Sequence, residues 1–420
     1  MRILYLLYDH QVSFTSITSN TITKCPWVDA LLYELIQNES ITIALAVPVN
    51  SNIFHKCQKE RITLFGLPFS EERNIFRKIY QRVVSSTEST ELNNFARQAI
   101  NEFKPDIIQI FGSENPFGLL ASQLTIPIII HIQGNLKVVL KKWFTGISRW
   151  HQFRYASLKN LILMRGSFHG FTPFTKMANR ETIILQNCKY FMGRTNFDRR
   201  IISLFSPNST YFHCDEFIRN EFFETQWNFP LQNEVLCVSI LRGSTYKGID
   251  LIVESMMILK KYSTFSFKFK ICGVSDNEEI VKIIKDRYKK VFGLLNIEFL
   301  GKLSANDLVK TLCNSNFYIH PSYIENSPNS VCEAMALGMP IVSTNVGGVS
   351  SIIKENEEGI LVQEGEPYSL ASAIIELIKN YEYAKLLGQN ARIRAIHRHD
   401  PNIIVSRLLD IYNTILSNHD

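Results

Sequence analysis

Asn316-Phe-Tyr-Ile-His-Pro-Ser-Tyr-Ile-Glu325-Asn-Ser-Pro-Asn-Ser-Val-Cys-Glu333-Ala-Met-Ala-Leu-Gly338-Met-Pro-Ile-Val-Ser-Thr-Asn-Val-Gly-Gly348 parses as strand, loop, helix, strand and glycine turn. Ser327 reads as the N-cap and Pro328 as the first helical residue, where a missing N–H costs nothing. Gly338 follows the last turn and Pro340 prevents continuation. The helix therefore starts at the carboxyl end of a strand, which is where open α/β sheets bind ligands. The N–H groups of Asn329, Ser330 and Val331 would point at an anion with the helix dipole behind them, and phosphate is the natural guest. Glu325 precedes the helix and Glu333 follows eight positions later, on its second turn. Two carboxylates can flank a ligand rich in hydroxyls, since each accepts from two at once. Most glutamates are simply solvated. Glu333, however, interrupts an apolar helix between Val331 and Ala334-Met335-Ala336-Leu337.

Outward from this stretch, short apolar runs alternate with segments of helical period, the pattern of parallel sheets covered by helices on both faces. Strands are expected at Ile3 to Leu7, Ile41 to Val47, Ile107 to Phe111, Ile128 to Ile132, Thr182 to Leu185 and Tyr190 to Met192. A second series follows at Leu236 to Leu241, Phe267 to Cys272, Ile297 to Leu300, Phe317 to His320, Ile341 to Ser343 and Ile360 to Val362. The 420 residues, 45% hydrophobic and 20% charged, suffice for two cores. The fold class is α/β, two Rossmann-like doubly wound domains. Boundaries are expected at 1–215 and 216–400, with a linker within His213 to Asn233 rich in polar and aromatic residues. The remainder, 401–420, is an amphipathic helix that could pack on either domain, carrying Val405, Leu408, Leu409, Tyr412 and Ile415 at helical spacing.

A bound phosphate carries negative charge, so its site must supply cations or oriented N–H groups. Arg242 and Lys247 follow the strand Leu236 to Leu241 and precede a helix with the apolar face Leu251, Ile252, Ser255, Met256 and Leu259. Gly273 closes the next strand, where it would let backbone approach a ligand closely. His131 ends Ile128-Ile129-Ile130-His131 and precedes Gln133-Gly134; a lone His at a strand end is more often structural.

Glu325-x7-Glu333, followed by Ala334-x-Ala336-x-Gly338-x-Pro340 and Gly347-Gly348, resembles the retaining glycosyltransferases of family 4, the glycosyl transferases group 1, whose scaffold is GT-B with two domains facing a central cleft. The resemblance implies that Glu325 contacts donor-sugar hydroxyls, that Asn329, Ser330 and Val331 bind the distal phosphate, and that Glu333 holds the ribose. It implies that Arg242 and Lys247 bind the diphosphate. It also implies that His131 hydrogen-bonds near the sugar's reactive side, and that the Gly301-Lys302-Leu303 backbone meets the base. The reaction so implied moves a hexose-type sugar from a nucleotide diphosphate donor to a glycan or lipid-linked glycan, with retention and without metal or other cofactor. No Asp-x-Asp element and no metal-ligand spacing occurs in the sequence. Asn20 to Leu32 departs from the family in having no glycine-rich turn, although Pro26 makes a good helix start and Trp27 would narrow the site. That departure motivates one rival reading, a nucleotide-sugar-binding subunit without transfer. The other is an epimerase or phosphorylase on the same scaffold.

The net charge is +6, unevenly placed. No acidic residue lies between Glu114 and Glu181, where Lys137, Lys141, Lys142, Arg149, Arg154, Lys159, Arg165, Lys176 and Arg180 all fall. With Trp143, Phe144, Trp150, Phe153 and Tyr155 interleaved, 137–165 reads in two ways. It is either a solvated basic face with its aromatics buried, or a peripheral surface lying on anionic lipid. No nucleic-acid reader motif is present. The eight cysteines are dispersed, as buried free thiols of a reducing compartment would be. With no run of about 18 uncharged apolar residues, and Asp9 following the first strand, a cytoplasmic protein is expected.

Overall fold

The computed structural model describes residues 1–8, 26–69, 87–164 and 166–418, which divide into two compact units. The first comprises Met1–Lys137, Thr172–Phe217 and His399–Asp420; the second comprises Val138–Phe171 and Ile218–Arg398.

The first unit holds an eight-stranded sheet in the order β3-β4-β2-β1-β5-β6-β7-β8. Its strands are β1 (Arg2–Leu7), β2 (Thr42–Val49), β3 (His55–Lys59), β4 (Ile62–Pro68), β5 (Ile107–Phe111), β6 (Ile128–His131), β7 (Tyr190–Gly193) and β8 (Thr210–His213). Pairing is parallel except for β3 against β4. The apolar runs of β1, β5 and β6 are buried throughout because helices cover both faces. The second sheet is wholly parallel, in the order β11-β10-β9-β12-β13-β14. Its strands are β9 (Glu234–Ile240), β10 (Ser266–Cys272), β11 (Ile297–Gly301), β12 (Phe317–His320), β13 (Ile341–Thr344) and β14 (Ile360–Val362). The chain winds outward from β9 to β11, then returns to place β12 on the other side of β9. The strand order thus reverses between β9 and β12, and their carboxyl ends frame a ligand crevice.

Thr182 to Leu185 is not a strand. It lies in the helix Gly166–Asn187, where Ala178, Glu181, Ile184 and Leu185 form the buried stripe. Spacings of three and four residues outweighed the local β-branched composition. Three strands escaped the sequence pattern. β3 reads His-Lys-Cys-Gln-Lys at an antiparallel edge, β4 contains Gly66 and Pro68, and β8 is a short edge strand.

The units depart from the sequence boundaries at 1–215 and 216–400, while the helix expected at 401–420 packs on the first unit, one of the two packings open to it. Residues 138–171 belong with the second unit, because Ile147 is buried in its core and Glu279 accepts from Asn160 Nδ2 (3.2 Å) and Ser167 Oγ (2.6 Å). The helix Pro401–Ser417 belongs to the first. Ile404, Leu408, Ile411, Tyr412 and Ile415 join its core, and the Tyr412 hydroxyl donates to Gln109 Oε1 at 2.5 Å. The buried face is rotated slightly from the expected one, leaving Val405 and Leu409 partly buried. β8 (Thr210–His213) ends where the expected linker begins, and within that linker Glu221–Glu224 forms a single helical turn.

Candidate active site

The loop from Pro321 to Pro328 leaves β12 at the strand reversal. Three side chains converge on one oxygen of Glu325. Lys247 Nζ lies 2.5 Å from Oε1, Ser322 Oγ donates to it at 2.8 Å, and His320 Nε2 is 3.4 Å away. Burial opposes a charge on Glu325, but Lys247 and His320 outweigh it and hold the carboxyl well below the usual carboxylate range. Glu325 is therefore an anion at any working pH, and Oε2 makes no hydrogen bond to the described residues.

Two glycines set the position of this loop. Gly248, directly after Lys247, has φ +75° and passes Pro321 so closely that a Cβ would lie 2.0 Å from its carbonyl oxygen. Gly347 has φ +53°, and a Cβ there would lie 1.8 Å from the carbonyl oxygen of Glu325, which accepts from Gly348 N–H at 3.1 Å. The Lys-Gly and Gly-Gly pairs of the sequence thus clamp the Glu325 loop from two sides, and only glycine permits both conformations.

The helix after the loop runs Asn329–Leu337 and ends on Gly338 at φ +82°. Its start differs from expectation. Pro328, extended at φ −72° and ψ 111°, occupies the N-cap; Ser327 does not, and no side chain caps this end. The Pro328 carbonyl accepts from Val331 N–H at 3.0 Å. That removes the Val331 N–H from the expected anion-binding trio of Asn329, Ser330 and Val331. Glu333 is 5% exposed, which overturns the solvated reading. Burial pushes its carboxyl above the ordinary range, opposed by Arg219, whose Nε donates to Oε1 at 2.8 Å. Arg219 sits 114 residues away from its partner with no motif to announce it.

Arg242 is exposed in the loop after β9 and forms no ion pair among the described residues, so it remains available to a ligand anion. Gly273 lies at the end of β10, where a Cβ would stand 2.2 Å from the Leu241 carbonyl oxygen. Its small size therefore serves the close pass of the β9 and β10 ends.

His131 belongs to the first unit, at the end of β6. Its ring is 3% exposed, with Trp27 edge-on at 6.0 Å and Phe111 at 5.9 Å between centroids. Nε2 lies 3.4 Å from Glu216 Oε1, outside hydrogen-bond geometry. Glu216 instead accepts from Arg194 and from Gln133. Burial and then the Arg194 cation lower the His131 pKa well below its ordinary value, so the imidazole is neutral. Arg194 and Glu216 were not legible beforehand, since their contacts with 131–133 span 61 to 83 residues. The glycine-free stretch from Asn20 lies outside the described residues as far as Cys25; the helix then begins at Pro26, as its N1 preference suggests. Arg165 and the Lys159 side chain also lie outside the described set. Among the described residues, no group of three or more His, Cys, Asp or Glu is placed to hold a metal, and no helix is long and apolar enough to cross a membrane.

One family match falls on the half that carries the Glu325 geometry. Residues 221–394 match the family described as Glycosyl transferases group 1. An uncharacterized glycosyltransferase of Methanocaldococcus jannaschii is 30% identical over 276 residues, 65% of each chain. The N,N'-diacetylbacillosaminyl-diphospho-undecaprenol alpha-1,3-N-acetylgalactosaminyltransferase of Campylobacter jejuni is 26% identical over 203 residues, 48% of this chain and 51% of that one. The chain thus spans between about half and two thirds of the length of these curated relatives. Among solved structures, sucrose-phosphate synthase from Thermosynechococcus elongatus superposes with a TM-score of 0.70 at 15% identity, covering 99% of this chain and 100% of that one. A likeness at that identity speaks for fold alone, and it extends over both parallel-sheet units. The chain accordingly has the α/β fold of the GT-B glycosyltransferases, and its region 221–394 is similar to the glycosyl transferases group 1.

Proposed function

We propose that the chain is a glycosyltransferase that moves a hexose-type sugar from a nucleotide diphosphate donor to a glycan or lipid-linked glycan, with retention and without a metal. The observation that carries this reading is the Glu325 constellation. It is an obligate carboxylate with one oxygen held by Lys247 and Ser322 and the other turned to no protein donor. A sugar hydroxyl supplies what that oxygen lacks. Lys247 and Arg242, with the N-terminal end of the helix Asn329–Leu337, supply positive potential where the leaving diphosphate gathers charge. Glu333 accepts from the ribose beside Arg219. The Campylobacter relative, whose name specifies a diphospho-undecaprenol substrate, favours an acceptor of the lipid-linked class.

A thermal-shift screen of nucleotide sugars against the wild type and Glu333→Gln tests the donor site, because a ligand that binds only the folded state raises the midpoint. One base and sugar should stabilise the wild type, and the shift should shrink by at least half in Glu333→Gln. An equal shift in both proteins removes Glu333 from the site. Release of nucleoside diphosphate should require acceptor, persist in EDTA and yield a product of unchanged anomeric configuration. Acceptor-independent turnover would favour the epimerase reading, and binding without any turnover the non-catalytic subunit.

One surface favours a membrane-bound acceptor. In the helices Arg149–Tyr155 and Leu158–Ile162, Trp150 (62%), Phe153 (43%), Leu158 (74%) and Ile162 (63%) are exposed, beside the exposed cations Lys141, Arg149 and Arg154. Large exposed apolar side chains among cations, with no nearby acid in sequence, suit the headgroup layer of an anionic bilayer. Trp150→Ser combined with Phe153→Ser should weaken partitioning onto phosphatidylglycerol liposomes about a hundred-fold or more, given roughly 1.5–3 kcal/mol for burying each large apolar side chain. Sedimentation that is absent in the wild type or unchanged in the variant rules this surface out.

A further inference from the structure

A cavity of about 480 Å³ opens beyond the carboxyl ends of β13 and β14, within the range of about 300–1,000 Å³ typical of small-molecule sites. It is bounded by Tyr323 and Ile324 just before Glu325, by Asn345 to Gly347 after β13, and by Gln363 and Glu364 after β14, with Lys142 reaching over from 138–171. Arg242, Lys247, Asn329, Ser330 and Glu333 are not in its wall. It is thus separate from every group proposed to hold the donor, yet it shares the Glu325 loop with them through Gly347.

The chemistry of the wall is specific. The side chains of Asn345 and Gln363 are exposed and make no hydrogen bond to the described residues, so each offers both a donor and an acceptor. Lys142 Nζ pairs with Glu364 Oε1, while Glu364 Oε2 is buried with no hydrogen-bond partner among the described residues. A buried acceptor left unsatisfied costs free energy until a donor arrives. The Lys142–Glu364 pair cancels its own charge, so the vacant acceptor oxygen rejects an anion and takes a hydroxyl. Leu361, Val362 and Val346 supply apolar surface, and Tyr323 is anchored by its hydroxyl, which donates to Asp250 Oδ2 at 2.7 Å. Paired amides, one hungry carboxylate oxygen and apolar faces together match a neutral pyranose, whose hydroxyls donate and accept while its C–H faces pack.

We infer that this cavity is a subsite for a neutral sugar unit of the acceptor, separate from the donor sugar. The inference rests on the transferase reading for the word acceptor, and on the wall alone for the sugar. With its one cation, Lys142, already paired to Glu364, the wall offers no free charge to a phosphate, so the bound ring is not the one tied to the diphosphate. Its neighbour is the Glu325 loop, so a glycan anchored here presents its next unit towards the reacting end of the donor.

The test is a glycan array probed with the full-length chain, alongside thermal shifts with UDP, GDP and ADP. The wild type should retain glycans bearing neutral hexose or N-acetylhexosamine units and bind their uronic-acid counterparts at least ten-fold more weakly. The double variant Asn345→Ala/Gln363→Ala, and separately Asn345→Trp to fill the space from an exposed position, should each weaken retention ten-fold or more while leaving the nucleoside diphosphate shift unchanged. The inference is overturned if no glycan is retained, if the variants retain glycans as the wild type does, or if uronates are preferred. Retention that depends on Asn345 and Gln363, without any nucleoside diphosphate shift, supports the sugar subsite and overturns the transferase reading instead.

Discussion

Glu325→Gln is expected to lower the rate of sugar transfer by about 10²–10³-fold, the scale on which removing one preorganised electrostatic partner of a transition state acts. The substitution preserves shape and leaves an amide oxygen for Ser322 and Lys247, so the loop keeps its place. What it removes is the negative charge, which three neighbours now hold to a single oxygen. As the anomeric bond breaks, the sugar becomes electron-poor, and a fixed carboxylate at its hydroxyls stabilises that state more than the ground state. The loss should therefore appear in kcat, with KM for the donor and the affinity for nucleoside diphosphate within a few-fold of the wild type. Normal transfer by Glu325→Gln would sink the role given to this residue. A loss of nucleotide binding instead would mean that the Lys247–Glu325 pair serves the diphosphate more than the sugar.

Gly347→Ala should cost more stability than most substitutions in this chain, about 4 kcal/mol or more, which is reserved for changes with a named steric or backbone cause. Two causes combine here. A positive φ of +53° costs an L-residue roughly 1–2 kcal/mol. The larger cause is the 1.8 Å approach of the new methyl to the Glu325 carbonyl oxygen, which is backbone and cannot rotate away. Relief requires the Glu325 loop to move, so transfer should fall together with the thermal midpoint. Gly293→Ala is the control, since nothing lies within 4 Å of its added methyl and its φ is not positive. If both variants melt with the wild type, the clamp on the Glu325 loop is not what the glycines provide.

Much of the candidate site around Glu325 was legible in sequence because its parts are close along the chain. Loop, helix and second strand lie within Asn316 to Gly348, and a carboxylate at each end of a helix start is a local pattern. Local pattern failed where the chain had two ways to satisfy the same rule. Ser327 and Pro328 are both good helix starters, and the choice of Pro328 as cap followed from which carbonyl meets Val331. Thr182 to Leu185 has strand composition, yet the spacing from Ala178 and Glu181 buries it as a helix. His320 and Ser322 lay in plain view before Glu325. Nothing in the sequence said that both would turn to the same oxygen.

By itself, then, the amino-acid sequence determined the alternation of strands and helices, the place of the capped helix and the need for glycine around it, because these depend on interactions within a few residues. Tertiary structure alone decided the partners of the charges: Lys247 for Glu325, Arg219 for Glu333 and Arg194 for Glu216, across separations of 78, 114 and 22 residues. It also decided that 138–171 belongs with the second unit and the last helix with the first. The reason is the same in each case. A buried charge must find an opposite charge, and an apolar face must find a core, but many distant residues could serve either need until the chain has folded.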